Sequence, residues 1–308
     1  MRSKSLATNA TEPLSPGGAQ AAGPCDRACL NGLVDQYLAA LVAHDPSRLP
    51  LAKTVRFTEN GQTLRLGDGM WGPASGLGTY KLYFADPQAG PVGFFGVVEE
   101  NGHPQILALR LKVEKRRISE IETIVARKQP GAFCEPDALV DQPVFSQALA
   151  PSEQCSREEM VAIADSYFEG LVQATGKLTP FDPDCTRIEN GVVTANNPQG
   201  NPMQKLTAGE QFNTGFSTFI TEIRERRYPV VDKERGLVYS IIFFDHAGKI
   251  KTVELADGTK LVLPPPYDTP FTWMIGELFK IVDGKIHRIE AVLVPVPYGM
   301  LSGWVQNA

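Results

Sequence analysis

The chain states its pattern twice. Cys25 and Cys155, Tyr37 and Tyr167, and the triplets Glu59-Asn60-Gly61 and Glu189-Asn190-Gly191 all stand 130 residues apart. The copies then drift, and Ile118-Ser119-Glu120-Ile121-Glu122 meets Ile286-His287-Arg288-Ile289-Glu290 at an offset of 168, so the second copy carries insertions. Solenoid modules repeat at about 20–50 residues; this period describes two copies of a whole domain. A chain of 308 residues is comfortable for two cores. The spacing predicts a leader over 1–24, a first domain over 25–128, a linker over 129–154 and a second domain over 155–308. The leader is rich in Ala, Ser, Gly and Pro and is expected to be disordered.

Each copy has the same order of signals. Residues 26–43 carry Leu30, Leu33, Val34, Tyr37, Leu38 and Leu41 at helical spacing. Asp26 is a plausible N-cap, and His44-Asp45-Pro46 ends the run. Val55 to Leu66 reads as two short strands turning at Asn60-Gly61, a type I′ dipeptide. A weak helix or loop with Tyr80, Leu82 and Phe84 is expected next. Strands follow over Val92–Glu99, Gln105–Val113 and Ile118–Ala126. The second copy opens on Ser156-Arg157-Glu158-Glu159, a capping box, with a buried stripe through Met160, Tyr167 and Phe168. After the Asn190-Gly191 turn a helix-like segment is expected from Ala208 to about Glu225. Strands follow at Leu237–Asp245, Thr272–Val282 and Lys285–Val294, with an inserted pair around Asp257-Gly258. The order predicts an α+β fold: two tandem domains, each a curved antiparallel sheet wrapped around N-terminal helices.

Composition excludes several partners. A net charge of -5 argues against a nucleic-acid footprint, and the one basic cluster, Lys112 to Arg117, reads as a solvated hairpin tip. No apolar run reaches the ~18 residues of a membrane-spanning helix. The leader lacks the apolar core of a signal peptide. The cysteines at 25, 29, 134, 155 and 185 form no Cys-x-x-Cys pair and have no His cluster near them, so no metal is expected. One or two disulfides would fit an exported protein and five buried thiols a cytosolic one; export is the expectation.

The order of helix, short hairpin with an Asn-Gly turn, further helix and long strands resembles the NTF2-like or SnoaL-like cone fold, in both halves. Asp245-His246, Glu277-Leu278-Phe279-Lys280-Ile281 and Pro297-Tyr298-Gly299 also resemble a group of tandem microbial proteins, many exported, that offers no activity to carry over. The resemblance implies a cone-shaped pocket between sheet and first helices. In scytalone dehydratase, ketosteroid isomerase and polyketide cyclases of that fold, a His or carboxylate moves protons without a cofactor, and Tyr, Trp or Asn polarises an oxygen. Other members only bind ligands or pair with proteins, so the fold leaves the reaction open.

Candidate residues follow from what is out of place. His246 shares an alternating face with Val238, Ser240, Ile242 and Phe244, where it would be a general base with a pKa near neutrality, or an inert strand end. Glu277 shares a face with Trp273, Ile275, Phe279 and Ile281. A carboxyl there is either a proton carrier or half of a buried ion pair with Arg288 or Arg187. Tyr37 and Tyr167 sit at matching places on the first helices; the resemblance implies pocket-facing tyrosines, while packing of the apolar stripe on the sheet is the favoured reading. Trp71 and Trp273 are candidate pocket walls for a ring substrate, with Arg187 and Tyr37 as further binding groups. Glu59 and Glu189 are not explained by the Asn-Gly turn and could accept from the backbone or from Arg56 and Arg187. His287 is a secondary acid/base candidate. Nucleophile elbow, phosphate loop, Rossmann glycines and His-Glu-x-x-His are all absent from the sequence.

These residues point to cofactor-free acid/base chemistry on a small, largely apolar or aromatic molecule, of the lyase, dehydratase or isomerase kind. His246, Glu277 and Tyr167 would be catalytic, in the second copy, because the first has Glu100 and Leu109 at the aligned places. The competing expectation is a non-catalytic binder of an apolar ligand or a dimerisation module. Internal pairing of the two domains would allow a monomer; otherwise a homodimer is expected.

Overall fold

The computed structural model describes residues 24–129, 132–265 and 267–304. The leader reading, apart from Pro24, falls outside them.

The first half begins with helix α1 (Arg27–Val42). Asp26 caps it, its carboxylate accepting from Cys29 N at 2.9 Å. Strands β1 (Leu51–Glu59) and β2 (Gln62–Thr63) follow, then β3 (Ala74–Ala85), β4 (Pro91–Glu100), β5 (His103–Glu114) and β6 (Arg117–Arg127). They form one sheet in the order β2-β1-β6-β5-β4-β3. All pairs are antiparallel except β1 with β6. The apolar stripe of α1 packs onto this sheet around Val34, Tyr37, Leu107 and Leu109.

A connection with the short helix α2 (Pro143–Ser146) leads to α3 (Arg157–Val172). The Ser156/Glu159 capping box is formed in both directions. Next come β7 (Phe181–Glu189), β8 (Val192–Ala195), α4 (Pro202–Lys205), α5 (Ala208–Asn213), β9 (Glu222–Asp232), β10 (Leu237–His246), the small hairpin β11 (Thr252–Glu254) and β12 (Lys260–Val262), β13 (Phe271–Val282) and β14 (Lys285–Val296). The second sheet repeats the first, in the order β8-β7-β14-β13-β10-β9, with β7 and β14 parallel.

Two elements differ from expectation. The stretch with Tyr80, Leu82 and Phe84 is the edge strand β3, and the run expected as helix to Glu225 gives way at Glu222 to the edge strand β9. Both are irregular edges with register shifts against their neighbours. Ser75-Gly76-Leu77-Gly78 in β3 and Glu222–Arg227 in β9 break or mask the period-two pattern. Each sheet is also mixed, because the first strand of each half returns beside the last.

The helix-free faces of the two sheets meet. Tyr80, Phe84, Phe95 and Ile124 from the first half share one apolar cluster with Tyr239, Phe243, Met274 and Leu278 from the second. Ring centroids of Phe84 and Phe95 lie 5.0 and 5.6 Å from that of Tyr239. Inside this layer Tyr80 Oη donates to the Glu290 carboxyl at 2.7 Å. Arg227 Nη2 reaches Glu122 at 2.6 Å, and Arg110 Nε reaches Glu122 at 2.9 Å. Thus Glu122 and Glu290, matching residues of the repeat, are each bonded across the junction. At its rim Arg27 pairs with Asp232 and Arg157 with Asp86.

The connections cross over as well. After β6, residues 133–135 dock on the Asn190-Gly191 turn of the second half; after β14, Met300 and Gly303 lie on the Asn60-Gly61 turn of the first. Trp304 in this tail has the guanidinium groups of Arg56 and Arg110 over its ring, with its indole N–H on Thr58 Oγ1 at 3.0 Å. Cys25 and Cys29 form a disulfide, while Cys134, Cys155 and Cys185 are free thiols.

Candidate functional site

A cavity of about 210 Å³ opens into the second half between α3, the sheet and the segments that follow α5 and β12. Period-two alternation aims Phe244 and His246 of β10, and Trp273 and Ile275 of β13, at it. Tyr167 of α3 and Arg187 and Glu189 of β7 supply its polar side. Phe216, Phe219 and Tyr267 close it from the inserted segments, and Phe133 reaches it from the connection between the halves. Sequence reasoning thus brings together Tyr167, Arg187, His246 and Trp273.

Glu277 lies beneath this lining. It is 2% exposed, in the middle of β13, opposite Ser240 and Ala291. Burial pushes its carboxyl up to about 8, helped by the nearby Glu189; the Arg187 charge and a hydrogen bond with Tyr167 pull in the other direction. The ion-pair alternative is therefore only half met. Arg187 and Tyr167 both act to lower that pKa, without an ion pair to Glu277 among the described residues, while Arg288 points away, donating to the carbonyls of Asp184 and His287 at 2.7 Å.

Arg187 is held on all sides. Its Nε donates to Thr194 Oγ1 at 3.0 Å and its Nη1 to Tyr167 Oη at 3.1 Å. Its Nη2 donates to Gln211 Oε1, and Glu189 lies 3.4 Å away. The Gln211 amide nitrogen is committed to the carbonyls of Thr194 and Met203, which fixes its oxygen toward Arg187. Burial raises the Tyr167 phenol well above its ordinary range, so it stays protonated.

His246 is 2% exposed and lies flat on Phe271, with ring centroids 4.3 Å apart and planes within 4°. Phe219 covers it at 5.2 Å and Trp273 stands edge-on at 6.5 Å. Burial lowers its pKa to about 4, which corrects the expectation of a value near neutrality. The ring is neutral at pH 7, and its Nδ1 is buried without a hydrogen-bond partner.

The first half holds the same frame with the cavity filled. Registers align Glu100 with His246 and Leu109 with Glu277, since Glu100 pairs with His103 as His246 pairs with Phe271. Phe57 stands where Arg187 does and is 2% exposed. Tyr37 and Trp71, expected as binding residues, are core residues here, each 1% exposed and packed edge to face at 5.3 Å. Glu59 is also structural: it accepts from Met70 N at 2.7 Å and from Arg127, not Arg56, at 2.9 Å. His287 lies outside the cavity, 3.7 Å from Asp182. Among the described residues no group of three or more His, Cys, Asp or Glu could hold a metal ion.

Phe133, Phe216, Phe219 and Tyr267 were not legible as site residues. They come from a connection and two insertions, where no period fixes a direction. Glu189 was visible in the repeated triplet but carried no sign of facing a cavity.

The comparisons with known proteins fall on this half and on the fold. A family model described as a domain of unknown function (DUF8021) matches residues 153–293. No curated protein matches the chain. Among solved structures, the candidate hydroxylase AclR from Streptomyces galilaeus is 14% identical, with 46% of this chain and 83% of that one covered and a TM-score of 0.30. A candidate isomerase from Bacillus subtilis is 12% identical over 44% of this chain and 87% of its own, with a TM-score of 0.28. AusH from Aspergillus nidulans is 12% identical over 45% and 86%, also at 0.28. Helix, hairpin, sheet order and the parallel return of the first strand are the same in both halves. Both halves share one α+β frame, an N-terminal helix packed on a six-stranded mixed sheet. The activity has to be argued from the cavity.

Proposed function

We propose that the second half is a cofactor-independent acid/base enzyme of the isomerase, dehydratase or lyase kind, acting on a small and largely apolar ring compound. The observation that carries this reading is the buried Glu277 carboxyl, set behind a cavity wall that holds Tyr167 and Arg187. With its pKa near 8, Glu277 is an acid that keeps its proton at pH 7 and can still release it. Tyr167 is the link: its O–H passes to a substrate oxygen while Glu277 refills it. The carboxylate left behind is stabilised by Arg187.

Across the cavity, neutral His246 offers a ring nitrogen to a C–H or O–H proton. With a pKa of about 4 it is a weak base. It works only if the substrate oxygen is protonated in the same step, which makes the two ends of the cavity interdependent. For a ketone, His246 takes the proton next to the carbonyl as the C–H bond breaks, and Tyr167 protonates the enolate oxygen. Reversal returns a proton to either carbon, or expels a neighbouring hydroxyl as water. Trp273 and Phe219 supply flat walls for the ring. The cavity lies below the roughly 300–1,000 Å³ typical of drug-sized ligands, which favours a compact substrate.

The experiment is deuterium incorporation next to the carbonyl of 1-tetralone in D2O, followed by NMR. Exchange above the buffer rate, removed in both E277Q and H246A, supports the reading. Exchange unaffected by either change, or no exchange with any member of a panel of small cyclic ketones and alcohols, would falsify it. A carrier that only binds is the second reading, favoured by the fact that Arg187 is already committed to protein partners. Tight binding of such compounds without exchange would select it.

A further inference from the structure

We infer that Phe133, delivered by the connection from the first half, is a specificity-determining wall of the second half's cavity, and that Asn190 and Gly191 hold it in place. This rests on the cavity being a ligand site, though not on its catalysing a reaction.

Phe133 belongs to neither sheet, and it lies outside the matched segment 153–293. Yet it lines the cavity mouth while remaining 42% exposed. A large ring left half in water is ordinary on a loose loop. This backbone is pinned. Asn190 Nδ2 donates to Phe133 O at 2.9 Å and to Leu293 O at 2.8 Å. Asn190 Oδ1 accepts from Leu293 N at 2.9 Å, and Asn190 O accepts from Glu135 N at 2.8 Å. One asparagine therefore ties the connection to both the turn and β14, the strand that supplies Leu293 to the cavity.

Gly191 completes the clamp. Its φ is +84°, and a Cβ there would stand 2.1 Å from Glu135 O, so only glycine lets the connection lie this close. Cys134, next in the chain, is 2% exposed, its thiol facing Ala126 O at 3.5 Å. With its neighbour buried and its carbonyl bonded, the Phe133 ring is held at the lip. A ligand in the cavity covers the apolar face that water now covers. The repeated Asn-Gly turn thus has a second role here beyond the hairpin: it seats a foreign segment. In the first half the same turn seats Met300, but over a cavity already filled by Phe57, Leu109 and Trp71.

The test is calorimetric titration of the full chain with 2-naphthol, an uncharged two-ring probe. F133A is expected to weaken binding by about threefold to tenfold, the scale of losing part of one aromatic face. F133W should retain it. V140A, which removes an exposed apolar side chain elsewhere on the same connection, should leave it unchanged. N190A, checked for an intact fold by circular dichroism, should reproduce F133A. Equal affinity in wild type and F133A overturns the inference, and so does an equal loss in V140A. Absence of 2-naphthol binding to wild type overturns it together with the ligand-site reading. The catalytic reading fails separately, through unaltered exchange in E277Q while 2-naphthol still binds.

Discussion

Tyr167 joins Glu277 to the cavity: the carboxyl is buried behind the lining, and the phenol that pulls its pKa down is part of that lining. Arg187 donates to the same phenol oxygen at 3.1 Å. A buried acid, a neutral relay and a fixed cation stand in sequence along one wall. The first half has Leu109 and Phe57 in place of the acid and the cation, and keeps only the tyrosine.

The relay makes Y167F and E277Q equivalent in effect. Each should lower turnover by about 10²–10⁴-fold, the range for losing a positioned proton donor. Wild-type activity should fall as pH rises through about 8, where Glu277 loses its proton. Rate–pH profiles on any exchanging substrate check this, and a profile flat to pH 10 would count against the relay.

Folding stability should also depend on pH, with a sign set by two carboxyls. Glu277 is raised to about 8, and Glu290 to about 7 by burial, with the Tyr80 hydrogen bond opposing. Both therefore hold protons in the folded state that the unfolded chain has released above about pH 4.5. The folded state binds more protons between those limits, so stability declines as pH climbs from about 4.5 through 7 to 8. Glu277 contributes on the order of 5 kcal/mol to that decline and Glu290 on the order of 3 kcal/mol. His246, lowered to about 4, works the other way, and stability drops as pH falls from about 6.5 toward 4. Urea midpoints against pH should show the alkaline-side slope reduced in E290Q.

The junction between the halves should behave as part of the core. Glu122 answers both Arg110 and Arg227 while 1% exposed. E122A leaves the half-buried Arg227 without its carboxylate and Arg110 with Glu120 alone, and should cost about 3 kcal/mol. Y80F leaves Glu290 without its donor and should cost about 1–3 kcal/mol. Because the sheets share one apolar layer, both variants should lower a single unfolding transition rather than split it into two.

The filled first half yields a further expectation. L109E places a carboxyl where Glu277 stands in the second half, but beside Phe57 rather than an arginine. It should destabilise by several kcal/mol and create no activity. Recovery of wild-type stability in that variant would mean the first half has room or a partner that its packing around Leu109, Tyr37 and Val34 does not offer.

How much of this was legible in the sequence follows from where each residue lies. The repeat and the long strands were, because Leu237–His246 and Phe271–Val282 carry strong apolar runs between clear turns. The face shared by His246 with Phe244, and by Glu277 with Trp273, followed from alternation alone. β3 and β9 were not, because edge strands tolerate glycines and charges that central strands refuse. Whether Tyr37 and Trp71 bind or pack does not follow from matching sequence positions, which do not reveal whether a cavity is open; that depends on side chains such as Phe57 and Leu109 from other elements. Nor could sequence show that Glu122 bonds Arg227 and Glu290 bonds Tyr80 across the junction, since the repeat gives only their matching places in two strands.

The most direct measurement is an NMR titration of the Glu277 side-chain carboxyl, assigned by its loss in E277Q, in wild type and Y167F. A midpoint of about 8 is expected in wild type, moving higher in Y167F as the hydrogen bond to the ionised form is lost. A midpoint near 4.5, indifferent to Tyr167, would contradict the existence of a stored proton at this cavity.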